Sequence, residues 1–247
     1  MRDVEVGPEG ARMRYVDFPG RAPACVFLHG LGSSSSAYFA CVAADPALGG
    51  RRCLMPDFLG FGLSDRPAGF GYGLRDHALS LARALDVLGV SGANVVGHSM
   101  GGAIAIILAA ERPDLVQCLV LAEPNLTPSR RKRVEEYTEE SFTSAGFAAA
   151  LDAVGPHWAA TMRLADPRAL YRCEHALGEA MEPGVTEMLL GLPLPRTLIM
   201  GDRTSLCAAE QTAATAGIPL IRIADAGHNM MLDNPPDFVA ALVRVLG

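Results

Sequence analysis

The sequence has little of what marks a nucleic-acid-binding or membrane protein. Only 19% of its 247 residues are charged, and 27 acidic against 21 basic side chains give a formal net charge of −6. Without a basic excess, binding to nucleic acid is not expected. No apolar stretch is long enough to cross a bilayer, and the first residues do not resemble a secretion signal. We therefore expect a cytoplasmic protein that binds neither nucleic acid nor membrane.

Paired cysteines and metal-binding patterns are also missing. The six cysteines form no CxxC pair, and most lie in apolar runs, as small core residues do. They are Cys25, Cys41, Cys53, Cys118, Cys173 and Cys207. Their spacing does not fit a zinc site, and no nucleotide or flavin motif is present. The sequence therefore predicts a reduced protein without a metal or another cofactor.

Half of the residues are hydrophobic, which is enough for one large domain with a substantial insertion. Short apolar runs alternate with helical patterns, which favours an α/β fold with a mostly parallel, doubly wound sheet. The predicted strands are residues 12–17, 24–29, 52–57, 94–98, 118–123, 196–201 and 220–224. The predicted helices between them are residues 36–44, 74–88, 100–111, 208–217 and 236–246.

One segment interrupts this alternation. Between residues 124 and 195 the pattern is helical and contains no convincing strand. Helical patterns cover residues 130–143, 147–154, 158–165, 169–181 and 185–191, with Gly-Pro, Asp-Pro and Pro-Gly pairs among them. We predict a helical cap of residues 124–195, inserted before the penultimate strand of a core formed by residues 1–123 and 196–247.

Chemically capable side chains follow the carboxyl ends of several predicted strands. They are His29, Asp57, Ser99, Glu123, Asp202 and, after the last strand, His228. Ligands of open α/β sheets bind beyond this edge of the sheet. The pattern therefore predicts a functional site at the edge.

Residues 97–101, GHSMG, fit the pattern G-x-S-x-G at a strand-to-helix junction. In that geometry the serine occupies a strained turn that exposes its hydroxyl, and the glycines avoid clashes with neighbouring backbone. The helix beginning at Met100 directs its amino-terminal dipole at the same point. The pattern also occurs by chance in tight turns, but here it lies where the chemistry requires it. We interpret Ser99 as a nucleophile.

A serine nucleophile requires a base, and six histidines are available. His228 lies in the loop after the last predicted strand, which fits the chain order of serine, acid and histidine. His29, Gly30 and His98 lie beside the predicted nucleophile and are expected to brace the site or contact substrate. We interpret His228 as the base.

The chemistry also requires two backbone donors for the oxyanion. The amide of Met100, directly after the nucleophile, is the first donor. The second is expected from the loop at residues 29–33, HGLGS, and the amide of Leu31 is favoured. The alternative interpretation of this loop is an ordinary glycine turn.

Together these motifs resemble the α/β-hydrolase superfamily over nearly the whole chain. The resemblance is carried by residues 29–32 (HGLG), 56–67 (PDFLGFGLSDRP), 97–102 (GHSMGG) and 227–228 (GH). It implies the α/β-hydrolase fold, a serine–histidine–acid triad, an oxyanion hole at Leu31 and Met100, and a helical cap over the site. It also implies that Asp57 and the glycines after it form a structural turn, as their composition indicates.

Two carboxylates compete for the role of the acid that orients the histidine. The family commonly places an aspartate three residues past a glycine after the penultimate strand, but Thr204 occupies that position and Asp202 comes two residues early. Some members, notably certain haloalkane dehalogenases, use a carboxylate at the end of the strand before the cap, where Glu123 stands. Burying Glu123 there without a partner would be costly. We favour Glu123 and keep Asp202 as the alternative.

At the nucleophile position the sequence has Ser99 and not an aspartate, which argues against dehalogenase and epoxide-hydrolase chemistry. The predicted function is cleavage of a carboxylic ester, lactone or related acyl substrate through an acyl-enzyme on Ser99, with His228 as base. One alternative uses the same triad for C–C hydrolysis, perhydrolysis, or thioesterase or cyclase chemistry. A further alternative is a non-catalytic small-molecule binding protein on a hydrolase scaffold.

Specificity is expected to come from apolar residues of the cap and of the loop after His228. They are Phe142, Phe147, Trp158, Met162, Leu164, Met181, Met188, Leu189, Met230 and Met231. Most of them are expected in the core, while Trp158 and Met230 are expected to contact a small to medium apolar acyl substrate. We expect a monomer or a homodimer.

Overall fold

A computed structural model describes residues 1–129, 132–205 and 208–247 of the chain. Cys207 and the first two positions of the helix predicted at residues 130–143 lie outside the described residues. Among the described cysteines, three are buried, Cys118 is half-buried and Cys41 is exposed.

The centre of the structure is an eight-stranded sheet with the order β1-β2-β4-β3-β5-β6-β7-β8. The strands are β1 Arg2–Glu5, β2 Arg12–Phe18, β3 Arg21–Leu28, β4 Arg51–Pro56, β5 Ala93–His98, β6 Val116–Ala122, β7 Arg196–Gly201 and β8 Leu220–Ile223. The pairs β1–β2 and β2–β4 are antiparallel, and all other pairs are parallel. The predicted α/β class with a mostly parallel sheet is therefore confirmed.

Seven strands correspond to the predicted ones, whereas β1 was not predicted. This strand has four residues, and Val4 is the buried one among three charged or exposed neighbours. So short a run carries too little alternation to indicate a strand. It adds an antiparallel edge to the sheet, far in the strand order from β5.

Helices cover both faces of the sheet. Those of the core are α1 Ser35–Ala43, α2 Leu74–Val87, α3 Met100–Glu111, α10 Ala208–Ala216, α11 Met230–Asp233 and α12 Pro235–Leu246. Buried side chains of α2 and α3 form one apolar cluster with the sheet and the cap, and those of α1, α11 and α12 form a second cluster. The sheet is thus covered as a doubly wound fold requires.

The segment between β6 and β7 is helical, and its described residues contain no strand. Its helices are α4 Lys132–Glu135, α5 Glu139–Ser141, α6 Phe147–Ala153, α7 Pro156–Met162, α8 Pro167–Gly178 and α9 Val185–Gly191, with a π-helical turn at Phe142–Gly146. The single helix predicted at residues 130–143 was wrong. Thr138 accepts a hydrogen bond from the N–H of Ser141 and so starts a new helix.

Helix α8 and the chain just before it are fixed to the core by backbone and side-chain contacts. The N–H of Asp166 donates to the carbonyl of Gly60 at 2.8 Å. The thiol of Cys173 donates to the carbonyl of Tyr72 at 3.2 Å. These contacts hold the helical segment over the carboxyl ends of the parallel strands, where the predicted site lies.

The turn after β4 is held by one buried carboxylate. Asp57 accepts hydrogen bonds from the Ser34 hydroxyl and from the N–H groups of Ser35 and Leu63. All of these partners belong to the core, so the structure gives Asp57 the structural position that the resemblance implies. No helix among the described residues is long and apolar enough to cross a membrane.

Candidate active site

Ser99 occupies the sharp turn between β5 and α3. Its backbone is strained, with φ of 54° and ψ of −118°. A Cβ at Gly97 would lie 2.6 Å from the carbonyl oxygen of Gly101, and one at Gly101 would lie 2.6 Å from the carbonyl oxygens of Leu28 and His29. Only glycine allows the strand and the helix to approach so closely. The strained turn stores backbone energy at a position that presents a hydroxyl.

His228 is held by Glu123. Its ring Nδ1 lies 2.7 Å from Glu123 Oε2. The second carboxylate oxygen, Oε1, accepts hydrogen bonds from the N–H of Gly201 at 3.0 Å and from the Thr204 hydroxyl at 2.5 Å. An ionised carboxylate only accepts hydrogen bonds, so Nδ1 carries the proton and Nε2 is the basic nitrogen.

The carboxylate of Glu123 is almost completely buried, with 5% of its side chain exposed. Burial acts to raise its pKa, but the hydrogen bonds from His228, Thr204 and the N–H of Gly201 outweigh burial and hold the pKa below the usual 4.5. Glu123 also has a positive φ of 42°, which is uncommon outside glycine. The chain therefore holds an ionised carboxylate against His228 at the end of β6.

Asp202 lies elsewhere. Its side chain is exposed and accepts a hydrogen bond from the N–H of Ala226 at 3.2 Å. This contact ties the end of β7 to the loop that carries His228. The alternative that Asp202 contacts His228 does not match this geometry, because its carboxylate points to the backbone of that loop. Thr204 occupies the position where the family commonly has its aspartate. Its hydroxyl contributes to the site by donating a hydrogen bond to Glu123.

His98 holds the backbone of His228 in place by a hydrogen bond. A carbonyl only accepts hydrogen bonds, so His98 Nε2 donates to the carbonyl oxygen of His228, at 2.8 Å. The two ring centroids are 4.7 Å apart. Burial, followed by the nearby His228, holds the pKa of His98 well below 6.5. A neutral ring at this place supports His228 without opposing a positive charge on it.

Two residues that were predicted to contact substrate, His29 and Met230, instead make contacts within the core. His29 donates from Nδ1 to the carbonyl of Gly30 at 2.7 Å and accepts at Nε2 from the N–H of Phe58 at 3.1 Å. Neither ring nitrogen remains for a ligand, and burial lowers the pKa of His29. Met230 is completely buried in the apolar cluster of α1, α11 and α12. The unpredicted helix α11 turns its side chain into the core, away from the site.

The amide groups of Leu31 and Met100 are the two predicted oxyanion donors. Within the described part of the chain, neither N–H donates to a backbone or side-chain oxygen. The loop that contains Leu31 is held by the cap, since Trp158 Nε1 donates to the carbonyl of Leu31 at 2.9 Å. Thr161 donates to the carbonyl of Gly32 at 3.2 Å. Helix α7 therefore fixes one of the two predicted oxyanion donors.

Two cavities lie near Ser99: Ser99 lines the smaller one, and its hydrogen-bond partner Asn125 lines the larger one. The smaller one, of about 30 Å³, lies between the Leu31 loop, Ser99 and the cap. It is lined by Gly30, Leu31, Ser33, Tyr38, His98, Ser99, Trp158, His228 and Asn229. The structure thus brings Gly30, His98 and Trp158, three of the residues predicted to contact substrate, together around Ser99. Tyr38 and Asn229 were not predicted, because nothing in their sequence surroundings marks them.

The larger cavity, of about 450 Å³, lies between α8, α9 and the loop after β6. Among its lining residues is Asn125, which the sequence interpretation missed. The Ser99 hydroxyl donates to Asn125 Oδ1 at 3.1 Å, and the N–H of Asn125 donates to the Ser99 carbonyl at 3.1 Å. Its place two residues after Glu123, at a strand end, put it near the site in the sequence but indicated no role for it. Met181 also lines this cavity.

No group of three or more histidine, cysteine or acidic side chains in the described ranges is arranged to hold a metal ion. The charged groups at Ser99 are the carboxylate of Glu123 and, when protonated, the ring of His228. The arrangement can remove a proton from a hydroxyl, stabilise the resulting imidazolium and donate two N–H groups to a developing negative charge.

Comparison with known proteins identifies the family to which the chain belongs. Residues 23–170 match the family described as alpha/beta hydrolase fold. Over 119 residues, 48% of the chain, the sequence is 39% identical to haloalkane dehalogenase 2 of Mycobacterium tuberculosis. This match covers 40% of the dehalogenase, so the chain spans about two fifths of the length of that curated relative.

Two solved structures share the fold over nearly their whole length. One is a thermophilic esterase from Thermogutta terrifontis, with a TM-score of 0.85, 20% identity, and coverage of 100% of this chain and 98% of the other. The second is an enol-lactonase from Burkholderia xenovorans, with a TM-score of 0.84, 22% identity, and coverage of 99% of each chain. At this identity the likeness shows the fold alone. The family match, which covers more than half of the sequence, shows that the chain belongs to the α/β hydrolase family.

Proposed function

We propose that this protein hydrolyses a carboxylic ester or lactone through an acyl-enzyme on Ser99, with His228 as base and Glu123 as the acid of the triad. The observation that carries the proposal is the 2.7 Å hydrogen bond between His228 and the buried Glu123 at the edge of the sheet that presents Ser99. A buried carboxylate on one ring nitrogen leaves the other nitrogen as a base. An unreactive binding protein has no need of such an arrangement.

The reaction follows from these positions. Nε2 of His228 takes the proton of the Ser99 hydroxyl while the Ser99 oxygen attacks the carbonyl carbon of the substrate. The His228 ring then gives that proton to the leaving group. The amides of Leu31 and Met100 donate to the oxyanion. Water attacks the acyl-enzyme with His228 again as base and releases the acid. Glu123 stays ionised and stabilises the imidazolium.

In the structure the Ser99 hydroxyl donates to Asn125 and not to His228. The amide oxygen of Asn125 cannot take up a proton at neutral pH, so this bond does not activate the serine. The hydroxyl turns to His228 for reaction. A serine hydroxyl changes its hydrogen-bond acceptor by rotation of the side chain.

Dehalogenation is not supported, although one relative is named as a haloalkane dehalogenase. Displacement of a halide by a serine oxygen would give an alkyl ether on Ser99. Water does not cleave such an ether under the conditions in which it cleaves an ester, so the enzyme would not turn over. An acyl substrate gives an ester on Ser99, which the same base can hydrolyse.

The test is a rate measurement with p-nitrophenyl esters of increasing acyl length, on the wild type, Ser99→Ala and the control Ser91→Ala. Ser91 is an exposed serine before β5. We expect hydrolysis by the wild type and by Ser91→Ala, and none above background by Ser99→Ala. A short fluorophosphonate should label Ser99, as located by mass spectrometry of peptides.

Equal rates in the wild type and Ser99→Ala, or no labelling of Ser99, would contradict the proposal. Labelling of Ser99 without hydrolysis of any ester would instead favour the alternatives that use the same triad, such as C–C hydrolysis or thioesterase chemistry. Those reactions give different products, which chromatography of candidate substrates separates.

A further inference from the structure

We propose that the larger cavity beside Asn125 holds the acyl chain of the substrate, while the leaving group lies on the His228 side of Ser99. This inference rests on the proposed function, because it assigns the direction of an ester across the nucleophile. It identifies the substrate class as esters with an extended, uncharged apolar acyl chain.

The four substituents of the tetrahedral intermediate determine the direction. One is the oxygen of Ser99. The oxyanion faces the amides of Leu31 and Met100. The leaving oxygen lies within hydrogen-bond reach of Nε2 of His228, because the ring returns the proton to it. The acyl carbon is the remaining substituent, and it takes the remaining direction.

Asn125 marks that remaining direction. It is a contact of the Ser99 hydroxyl and also part of the wall of the larger cavity. It does not line the smaller cavity, where the Leu31 loop and His228 lie. A chain attached to the carbonyl carbon and directed away from these groups therefore passes Asn125 and enters the larger cavity.

The two sides differ strongly in size. The cavity on the His228 side measures about 30 Å³, which is room for little more than a water molecule or two. The His228 side chain is 48% exposed, so a larger leaving group extends into solvent. The cavity on the Asn125 side measures about 450 Å³, within the range of ligand pockets. Apolar groups that are to be removed from water fit on the Asn125 side.

The walls of the larger cavity are apolar and already in place. Leu126, Leu177 and Val185 contribute buried side chains. The Thr186 hydroxyl donates to the carbonyl of Leu126 at 2.7 Å, which ties α9 to the loop after β6. The N–H of Ser129 donates to the carbonyl of Leu177 at 2.8 Å, which ties the same loop to α8. A preformed pocket binds a chain without a cost for ordering the protein.

Acidic side chains stand at the mouth of the cavity. Glu179 and Glu187 are both exposed and both line it. A chain that ends in a carboxylate would bring a like charge close to them, which is unfavourable. The acyl chain is therefore uncharged at its end.

The first experiment compares two ester series on the wild type: p-nitrophenyl esters from acetate to octanoate, and acetates from methyl to octyl. We expect kcat/KM to rise by up to about fourfold for each methylene of the acyl chain, and to change little with the length of the alcohol. The p-nitrophenyl monoester of suberic acid should react more slowly than the octanoate. The double variant Glu179→Gln, Glu187→Gln should reduce this difference.

The second experiment fills the cavity from two different sides with Ala176→Phe, on α8, and Met181→Trp. The control Ala149→Phe adds the same bulk to an exposed position of α6 that lines neither cavity. We expect each filling variant to lower the octanoate-to-acetate ratio of kcat/KM at least about tenfold, and the control to keep the wild-type ratio. Two variants are used so that a folding defect in one does not decide the result.

An unchanged ratio in a folded filling variant would overturn the inference and leave the proposed function intact. A dependence on alcohol length in place of acyl length would also overturn it. Failure of the proposed function is different: the wild type would then hydrolyse neither series, and the short fluorophosphonate, which does not need the cavity, would not label Ser99.

Discussion

Glu123 and His228 are 105 positions apart in the chain, yet the Glu123 carboxylate lies 2.7 Å from Nδ1 of the His228 ring. The carboxylate comes from the end of β6, and the ring comes from the loop after β8. Parallel strands bring these two ends to one edge of the sheet. Their contact sets which nitrogen of His228 is basic, and the following predictions depend on it.

The first prediction separates the two candidate acids. Glu123→Gln should lower kcat by roughly 10²–10⁴-fold, since a neutral amide neither stabilises the imidazolium nor selects the required tautomer. Asp202→Asn should change kcat by less than about threefold, because Asp202 is exposed and contacts the backbone at Ala226. Initial rates on one p-nitrophenyl ester measure both effects. The opposite order of the two variants would transfer the role of the acid to Asp202.

The second prediction concerns Thr204, whose hydroxyl donates to Glu123 Oε1. Thr204→Val removes that donor and leaves a methyl group against a buried carboxylate. The pKa of Glu123 should rise, the part of the low-pH loss of kcat/KM that follows protonation of Glu123 should move to higher pH, and kcat/KM near pH 7 should fall by about 3–10-fold. Thr204→Ser keeps the hydroxyl and should retain the wild-type profile. Identical profiles for Val and Ser would show that the hydroxyl does not act on Glu123.

The third prediction concerns stability against pH. The pKa of Glu123 in the folded protein is below its usual 4.5. The ionised carboxylate therefore stabilises the fold fully above about pH 4.5, and this contribution is lost as the pH falls through the lower, folded value. Urea unfolding at a series of pH values should show the wild type losing stability more steeply than Glu123→Gln below pH 4.5. Parallel curves would mean that folding does not shift this pKa.

The fourth prediction tests the close backbone approach at the turn that carries Ser99. Gly101→Ala should lower the free energy of unfolding by about 1–3 kcal/mol, because its Cβ would lie 2.6 Å from two backbone carbonyl oxygens. Gly191→Ala is the matched control, since a Cβ there meets nothing within 4 Å. Its effect should stay within about 1 kcal/mol. Equal stabilities of the two variants, from urea unfolding, would refute the packing argument.

Much of the fold was predicted from the sequence because its signals are local. Strand β5 is buried throughout, has the apolar pair Val95 and Val96 at its centre and leads into the glycine-flanked Ser99, which predicts both the buried strand and the turn. The helical segment between β6 and β7 was recognisable from its missing strands. Strand β1 and helix α11 were not predicted, because four residues are too few to show a period.

The site residues were predictable to different degrees. Ser99 lies in a motif whose spacing has a mechanical reason, and His228 follows from the order along the chain. The role of Asn125 was not predictable, because a polar residue after a strand has many uses and only its 3.1 Å contact with Ser99 gives it one. Met230 was expected near the substrate, but helix α11 turns it into the core.

The sequence by itself determined the strand and helix alternation, the glycine-flanked serine and a set of polar residues at one sheet edge, because these depend on neighbours in the chain. Only the tertiary structure decided which carboxylate meets His228 and where the space beside Ser99 lies. Both depend on distances between chain segments that are far apart in sequence, and spacing along the chain does not fix these distances. Glu123 lies against the ring and Asp202 does not, since β6 and the loop after β8 converge while the Asp202 side chain points to Ala226.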